Sequence, residues 1–404
     1  MTSFKIPPGK ALFVLAVAFL LLLFNGGSRF TIGLTLKPMA DDLVWSRTTL
    51  SLTVTVFMVV SAVVLPVIGR LVDRYNPKVI LALALLVSSA SIALMGLIQT
   101  PFQAILLYGV IFALSNAGTS VAPIGVLISR WFPDRLGLAN SIAISGMGVG
   151  QLVIILLLTA QLDVIGWRGA FILLAGLGLV LIVPLMFLGV PTTAHQQTNQ
   201  STSGVVDDLR GGVSTAVCTP VFWILIVIYA ICGGQDFFVA THVVAFASDQ
   251  GLTSTMAGNL FALMGLFGLF GVLATGFLTD RYGPVLPTLV CFAVRIVVFT
   301  LVILMPTPTT IILFALCYGI TFWITAPLTV VFVQQYFGRA DLGLFSGIII
   351  MIHQAAGGAG AYLGGAVYDA FGDYHHVFVW MVVLSVVAFW FTWQLRRKQT
   401  IEAL

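Results

Sequence analysis

Gly69-Arg70-Leu71-Val72-Asp73-Arg74-Tyr75 and Gly276-Phe277-Leu278-Thr279-Asp280-Arg281-Tyr282 share one pattern, Gly-x-Leu-x-Asp-Arg-Tyr. Each follows an apolar run, about Leu50 to Gly69 and Ala257 to Gly276, and the two stand about half of the 404-residue chain apart. A loop that recurs at that spacing is what two duplicated halves would produce. A weaker echo joins Trp131-Phe132 and Leu136-Gly137-Leu138 to Tyr336-Phe337 and Leu342-Gly343-Leu344 at nearly the same offset. The chain reads as one unit built twice.

Composition sets the solvent. The chain is 59% hydrophobic and 8% charged, against about 25% charged residues in soluble domains. Runs long enough to cross a hydrocarbon layer of about 30 Å recur from end to end. They read as helices, because barrel strands alternate polar and apolar over about ten residues, whereas Ala11 to Leu36, Val79 to Leu97 and Gly169 to Leu188 are nearly solid apolar. Further spans fall at about Phe102 to Ser129, Leu138 to Leu162, Val221 to Ala247, Val285 to Met305, Thr310 to Val333, Leu342 to Val367 and His376 to Trp393. The expected fold is therefore all-α, with twelve transmembrane helices in two pseudo-symmetric six-helix bundles. The bundles are expected over 1–190 and 215–404, joined by a polar linker over 191–214 on the cytoplasmic side. The first span is too long for a signal-peptide core and is kept as structure.

Basic residues decide orientation, since cytoplasmic loops retain Lys and Arg. With the N-terminus inside, the inner segments hold Lys5, Lys10, Arg70, Arg74, Lys78, Arg130, Arg135, Arg210, Arg281, Arg339, Arg396, Arg397 and Lys398, while the outer ones keep Lys37, Arg47 and Arg168. Both termini are expected in the cytoplasm of a bacterium, with the chain in its inner membrane. The net charge of +4 is scattered over short loops, so it signals topology and not nucleic-acid binding. Cys218, Cys232, Cys291 and Cys317 fall in or beside spans, where thiols behave as small hydrophobes. Gly146 and Gly150, and Gly265, Gly268 and Gly271, look like close-packing surfaces. No phosphate-binding loop sits between a strand and a helix, so neither ATP drive nor another cofactor is expected. A channel needs a continuous polar stripe and an enzyme a clustered catalytic set; the scattered polar residues suggest neither.

The repeated loop resembles the signature of the major facilitator superfamily, in which it joins the second and third helices of each half, and the likeness runs the length of the chain. That resemblance implies alternating access, with Asp73, Arg74, Asp280 and Arg281 bridging helices at the cytoplasmic face as a conformational switch. A finer likeness lies in Gly27-Ser28-Arg29-Phe30-Thr31-Ile32-Gly33-Leu34, Pro38-Met39, Trp45-Ser46-Arg47, Ala240-Thr241-His242 and His353-Gln354. These resemble the bacterial monocarboxylate-porter branch, whose members move small organic anions, often with a proton. The lactate carriers of that branch place a Lys in the first helix and an Asp and an Arg in the eighth. Here the eighth span has no charge, and Arg29 is the candidate replacement for the Lys.

The candidate functional groups are the ionisable side chains at membrane depth, each costing at least about 2.5 to 3.5 kcal/mol when unpartnered. They are Arg29, Asp236, His242, Arg295 and His353. Asn25 stands one turn before Arg29, and the two together are expected to grip a carboxylate through the planar guanidinium fork. Asn116 of the fourth span is counted among the substrate ligands. In the seventh span, paired Gly233 and Gly234 invite a broken helix. Gln235 and His242 share a face there, while Asp236 points about 100° from Gln235. Asp236 is either the proton-coupling group or the partner of a buried Arg. His353, with Gln354 beside it in a glycine-rich span, is expected to face the cavity, and imidazole titrates near neutral pH. Arg295, central in the ninth span, must turn inward to a carboxylate, to backbone carbonyls or to the substrate.

The expected function is secondary active transport of a small organic anion, monocarboxylate-like in type, together with protons. The partners are the solute, protons and the lipid bilayer; the chain is expected to be a monomer and no enzyme. The alternatives are a carrier of a neutral or aromatic solute, with Tyr229, Tyr318, Trp323 and Tyr362 as lining, or an efflux permease.

Overall fold

The computed structural model describes residues 8–132, 136–186, 219–337 and 342–402. Among them the chain forms helices throughout. Ten helical stretches are long and apolar enough to cross a membrane. One of them, within Leu136–Met186, turns at Gly166, where φ is 64° and ψ 179°, and so makes two spans. Leu342–Phe371, 30 residues long, completes twelve.

We number the spans α1 Pro8–Leu43, α2 Arg47–Arg74 and α3 Pro77–Met95. The fourth, α4, runs from Pro101–Ala104 to Val121–Trp131, and α5 and α6 are the arms of Leu136–Met186 before and after Gly166. Then come α7 Pro220–Asp249, α8 Ser254–Tyr282 and α9 Val285–Leu304. α10 is formed by Pro308–Phe322 and Thr325–Phe337, α11 is Leu342–Phe371, and α12 is His375–Glu402. The expected linker at 191–214 lies outside the described residues.

Tight turns between long apolar helices require local satisfaction of the first N–H groups, and side-chain caps supply it. Ser46 caps α2, Asn76 caps α3 ahead of Pro77, and Thr100 and Gln103 form a reciprocal capping box on α4. Thr219, Thr253 and Thr307 cap α7, α8 and α10 in the same way. A polar oxygen at the cap followed by Pro at the first helical position is a strong start signal.

The packing repeats with a period of six helices. α1 lies on α5 as α7 lies on α11; α3 lies on α6 as α9 lies on α12; α2 meets α11 across the middle as α8 meets α5. Glycines make these crossings close. A Cβ at Gly150 would stand 1.9 Å from the Leu23 carbonyl oxygen, and one at Gly360 would stand 2.0 Å from that of Gly234. Both are impossible contacts, so the backbones touch directly, as small residues allow in membranes.

One expectation needs correction. Gly233 and Gly234 do not break α7, which is continuous from Pro220 to Asp249; they seat α11, with a Cβ at Gly233 falling 2.0 Å from the His353 carbonyl oxygen. Irregular backbone lies instead in α4, where Ile105–Phe112 is π-helical and Thr119–Ser120 separates two helical pieces, and in α10 at Trp323–Ile324. α1 runs on past Lys37 to Leu43, with Pro38 inside it.

Candidate functional site

Arg29 stands just past the middle of α1. Its Nη2 donates to Gln354 Oε1 at 3.0 Å and lies 3.6 Å from Met58 Sδ. Its guanidinium carbon sits 4.7 Å from the Phe237 ring centre, with Phe30 and Phe57 at 5.9 and 6.0 Å. Nε is buried without a partner. Among the described residues no carboxylate pairs with Arg29. Tyr108 holds the backbone in place by donating to the Arg29 carbonyl at 2.7 Å.

Arg295 is the opposite case. It is fully buried, and all five N–H donors are taken. Nη2 donates to Asp236 Oδ1 at 2.7 Å and to the Thr321 carbonyl at 3.1 Å; Nη1 donates to Gln235 Oε1 at 3.1 Å and to Cys232 Sγ at 3.4 Å; Nε donates to Thr321 Oγ1 at 3.2 Å. Tyr318 adds a bond to Asp236 Oδ1 at 2.8 Å. Gln235 and Asp236 point apart on α7, yet the fork of one arginine spans both. In this conformation no donor of Arg295 is left over, and its charge is paired with that of Asp236.

Cys232, Asp236 and His353 bring their donor atoms within 4.8 Å of one another. That is metal-ligand spacing, but the Arg295 guanidinium already donates to two of the three, so a positive charge occupies the place a cation would take.

His353 links the two centres. Its Nε2 is 3.5 Å from Asp236 Oδ2, its side chain is 19% exposed, and its ring meets Phe237 edge-on. The next residue, Gln354, is the one that meets Arg29. α11 therefore presents consecutive side chains to Asp236, the partner of Arg295, and to Arg29.

The remaining candidates lie elsewhere. Asn25 does not join Arg29: its Nδ2 donates to the Asn116 carbonyl at 2.9 Å and to Thr119 Oγ1 at 3.0 Å, holding α1 against the break in α4. Asn116 supplies that backbone acceptor and is itself buried. Gln235 donates to Ser385 Oγ at 2.7 Å and to the Met381 carbonyl at 2.9 Å, facing α12. His242 is buried among Tyr374, Ser51 and the Ala361 carbonyl. Asn25, Gln235 and His242 are thus engaged within the packing in this conformation. The side chains of Asp73, Arg74 and Asp280 lie outside the described ones; Arg281 is exposed, 5.4 Å from the Tyr282 ring centre.

His242 belongs to a network that sequence reasoning did not assemble. It lies at the end where α1–α2, α7–α8 and α11–α12 join, which the basic residues assign to the outside. Asp249 receives Lys37 at 2.7 Å and Arg47 at 2.7 Å. Arg47 also donates to Tyr374 OH at 2.6 Å and stacks 3.6 Å from the Tyr368 ring centre. Asp369 of α11 accepts from the N–H groups of Arg47 and Thr48 at 3.1 and 2.8 Å, capping α2 from across the molecule. Arg168 pairs with Asp42. The three lone outer cations were the available signal, and each has a carboxylate. Hydrogen bonds from α1–α6 to α7–α12 gather between mid-depth and this end. A cavity of about 80 Å³ lined by Leu34, Lys37, Asp41, Val244 and Ser254, among others, remains there. A larger groove of about 540 Å³, on the exposed side of α5 and α6, is apolar and touches none of these charges.

Two repeated bundles, hydrogen-bonded to each other toward one end and holding at mid-depth a cation that no described carboxylate pairs, define a membrane carrier fold. The family model of the Major Facilitator Superfamily matches residues 18–361 and 246–403, and the chain belongs to that superfamily. It is 26% identical to the MFS-type transporter YcxA of Bacillus subtilis, over 90% of this chain and 89% of that one. It is 25% identical to the oxalate:formate antiporter of Oxalobacter formigenes, over 72% and 69%, and 26% identical to monocarboxylate transporter 13 of Rattus norvegicus, over 71% and 67%. Among solved structures, the nucleoside transporter NupG aligns with a TM-score of 0.75 at 16% identity, covering 95% of this chain and 98% of that one. A bacterial homologue of the lysosomal transporter Spinster, inward-facing and occupied, aligns at 0.78 and 18%, covering 97% and 98%. These structural likenesses carry the fold. The chain is a multi-pass membrane transporter of this superfamily.

Proposed function

We propose that the protein moves a small organic anion with a single carboxylate across the inner membrane of a bacterium, together with a proton. The observation that carries this reading is Arg29: a mid-depth guanidinium whose oxygen acceptor, among the described residues, is an amide. An arginine at that depth costs at least about 2.5 to 3.5 kcal/mol unless it is partnered, and among the described residues a carboxylate meets Arg295 but none meets Arg29. The missing charge is the substrate's. Relatives named for formate, oxalate and monocarboxylates agree with an anionic cargo.

With both termini inside, the joined end is periplasmic and the conformation is inward-facing. The bundles span 1–190 and 215–404, each chain working as a monomer. Protonation of His353, which stands between Asp236 and the Arg29 site, gives the coupling step, because it adds a charge beside a carboxylate and one residue from the anion's contact. Asp73, Arg74, Asp280 and Arg281 then steady the opposite state. A neutral or aromatic solute is the second reading, favoured by the rings of Phe30, Phe57 and Phe237 around the guanidinium.

Uptake into proteoliposomes tests the site. Arg29→Ala is expected to abolish carboxylate uptake while the protein keeps its thermal midpoint and its monodisperse elution. Uptake at the unaltered rate removes Arg29 from the site.

A further inference from the structure

Gln354 does not stand alone on α11. Residues 354, 358, 365 and 369 fall on one face of a helix, and each meets the first bundle. Gln354 accepts from Arg29 at 3.0 Å. The Gly358 carbonyl accepts from Thr55 Oγ1 at 2.7 Å. A Cβ at Gly365 would stand 2.6 Å from Ser51 Oγ and 2.7 Å from the Arg47 carbonyl oxygen. Asp369 caps α2 through the N–H groups of Arg47 and Thr48. The row runs from the mid-depth charge to the outer end like a zipper. Its innermost tooth is the only one that involves Arg29.

An amide oxygen at 3.0 Å from a guanidinium stands where one oxygen of a bound carboxylate would stand. The amide is the weaker acceptor, since it is neutral and offers one oxygen, whereas a carboxylate brings a full opposite charge and takes two parallel N–H bonds from the guanidinium fork. Arg29 Nε, buried and unpartnered, is the second donor that a bidentate carboxylate uses and a single amide oxygen leaves idle.

We infer that Gln354 is a built-in substitute for the substrate: it holds Arg29 in the empty carrier, and an arriving carboxylate displaces it. Displacement removes the innermost tie between α1 and α11 and loosens the row that keeps the outer end shut. α11 stays seated on α7, because the glycine contacts at Gly233 and Gly360 are untouched. Binding is thus converted into freedom of the two bundles to separate. The inference rests on the reading of Arg29 as the anion site. It assigns Gln354 as a positioning residue that competes with the substrate rather than a ligand that helps to hold it.

Two measurements on the purified full-length protein in nanodiscs test this. The first needs no ligand: spin labels at Val44 and Asp373, both exposed on the outer end, report how far the bundles stand apart there. Gln354→Met keeps the volume and removes the strong acceptor; it is expected to raise the open-to-closed ratio about tenfold, the effect of losing one hydrogen bond to a charged group. Gln354→Glu, which tethers a carboxylate at Arg29, is expected to lower that ratio below the wild-type value. The second is binding of benzoate, acetate and lactate by calorimetry. Gln354→Met is expected to bind about tenfold more tightly than wild type, because a competitor of that strength is gone, and Gln354→Glu to bind none of them. Distances in Gln354→Met that superimpose on wild type overturn the inference, and so does weaker binding by Gln354→Met, which marks Gln354 as an ordinary ligand. Failure of all three acids to bind wild type counts against the anion reading alone, and the ligand-free distances then judge the zipper.

Discussion

Asp249 is the single carboxylate on which two outer cations converge, so Asp249→Asn is the sharpest perturbation of the closed outer end. The Arg47 side chain is 7% exposed, Asp249 18% and Lys37 30%. An exposed pair contributes about 0.2 to 1 kcal/mol, whereas stripping a partner from a buried charge costs about 3 to 5 kcal/mol. Lys37 belongs near the first figure. Arg47 falls short of the second, because it keeps Tyr374 OH and the Tyr368 ring. Together they give about 2 kcal/mol, or roughly a thirtyfold rise in the outer-open population relative to the closed one. The bonds to Asp249 form only while the outer ends of α1, α2 and α7 are together, so their loss weighs on the closed state and not on the open one. The spin-label pair at Val44 and Asp373 reads that ratio directly. High salt should shrink the difference between wild type and variant, since the Lys37 contact is partly screened. A ratio that changes less than threefold in Asp249→Asn, at low salt, refutes the claim that these ion pairs hold the outer end shut.

Two further outcomes follow from the paired centre and its neighbour. Arg295→Leu leaves the Asp236 carboxylate buried without its partner and is expected to destabilise the protein by about 3 to 5 kcal/mol; adding Asp236→Asn should restore most of the thermal midpoint, and a double variant as unstable as the single one would show that the pair is not the cause. His353→Gln keeps a polar side chain in contact with Asp236 but cannot carry a proton, so substrate exchange across the membrane should persist while accumulation driven by a pH gradient is lost. Accumulation at the wild-type rate in His353→Gln would place proton coupling elsewhere.

Much of the fold was legible because its causes are local. The apolar runs and the duplicated Gly-x-Leu-x-Asp-Arg-Tyr loop each act within a few residues of where they are read. The glycines of α7 and α11 were legible only as small residues. Whether Gly233 and Gly234 break a helix or seat a neighbour depends on what lies against them, and the answer, the His353 carbonyl, is 120 positions away. The same limit explains Asn25. Its spacing from Arg29 places both on one side of α1, but a helix face some 100° wide admits two different neighbours, and Asn25 meets α4 while Arg29 meets α11. The outer network was half legible: Lys37, Arg47 and Arg168 stood out as cations on the wrong side of the charge asymmetry, but nothing local in Asp249 or Asp369 names the cation each would receive.

The two buried arginines show where residue type stops and environment begins. Both lie at mid-depth and both violate the solvent's preference by a similar amount. Arg295 is repaid within its own bundle by Asp236, Gln235, Thr321 and Cys232, so every N–H is satisfied before any solute arrives, and a group in that condition has no differential affinity left with which to bias one conformation over another. Arg29 is left with an amide from the opposite bundle, an unpartnered Nε and three aromatic faces. On the proposed reading its deficit is met by a solute that enters and leaves, and its present partner belongs to α11, whose far end meets the first bundle at the outer end. That coupling of an unmet charge to a movable contact is the physical requirement for a carrier, and Arg295, with the same side chain, does not meet it.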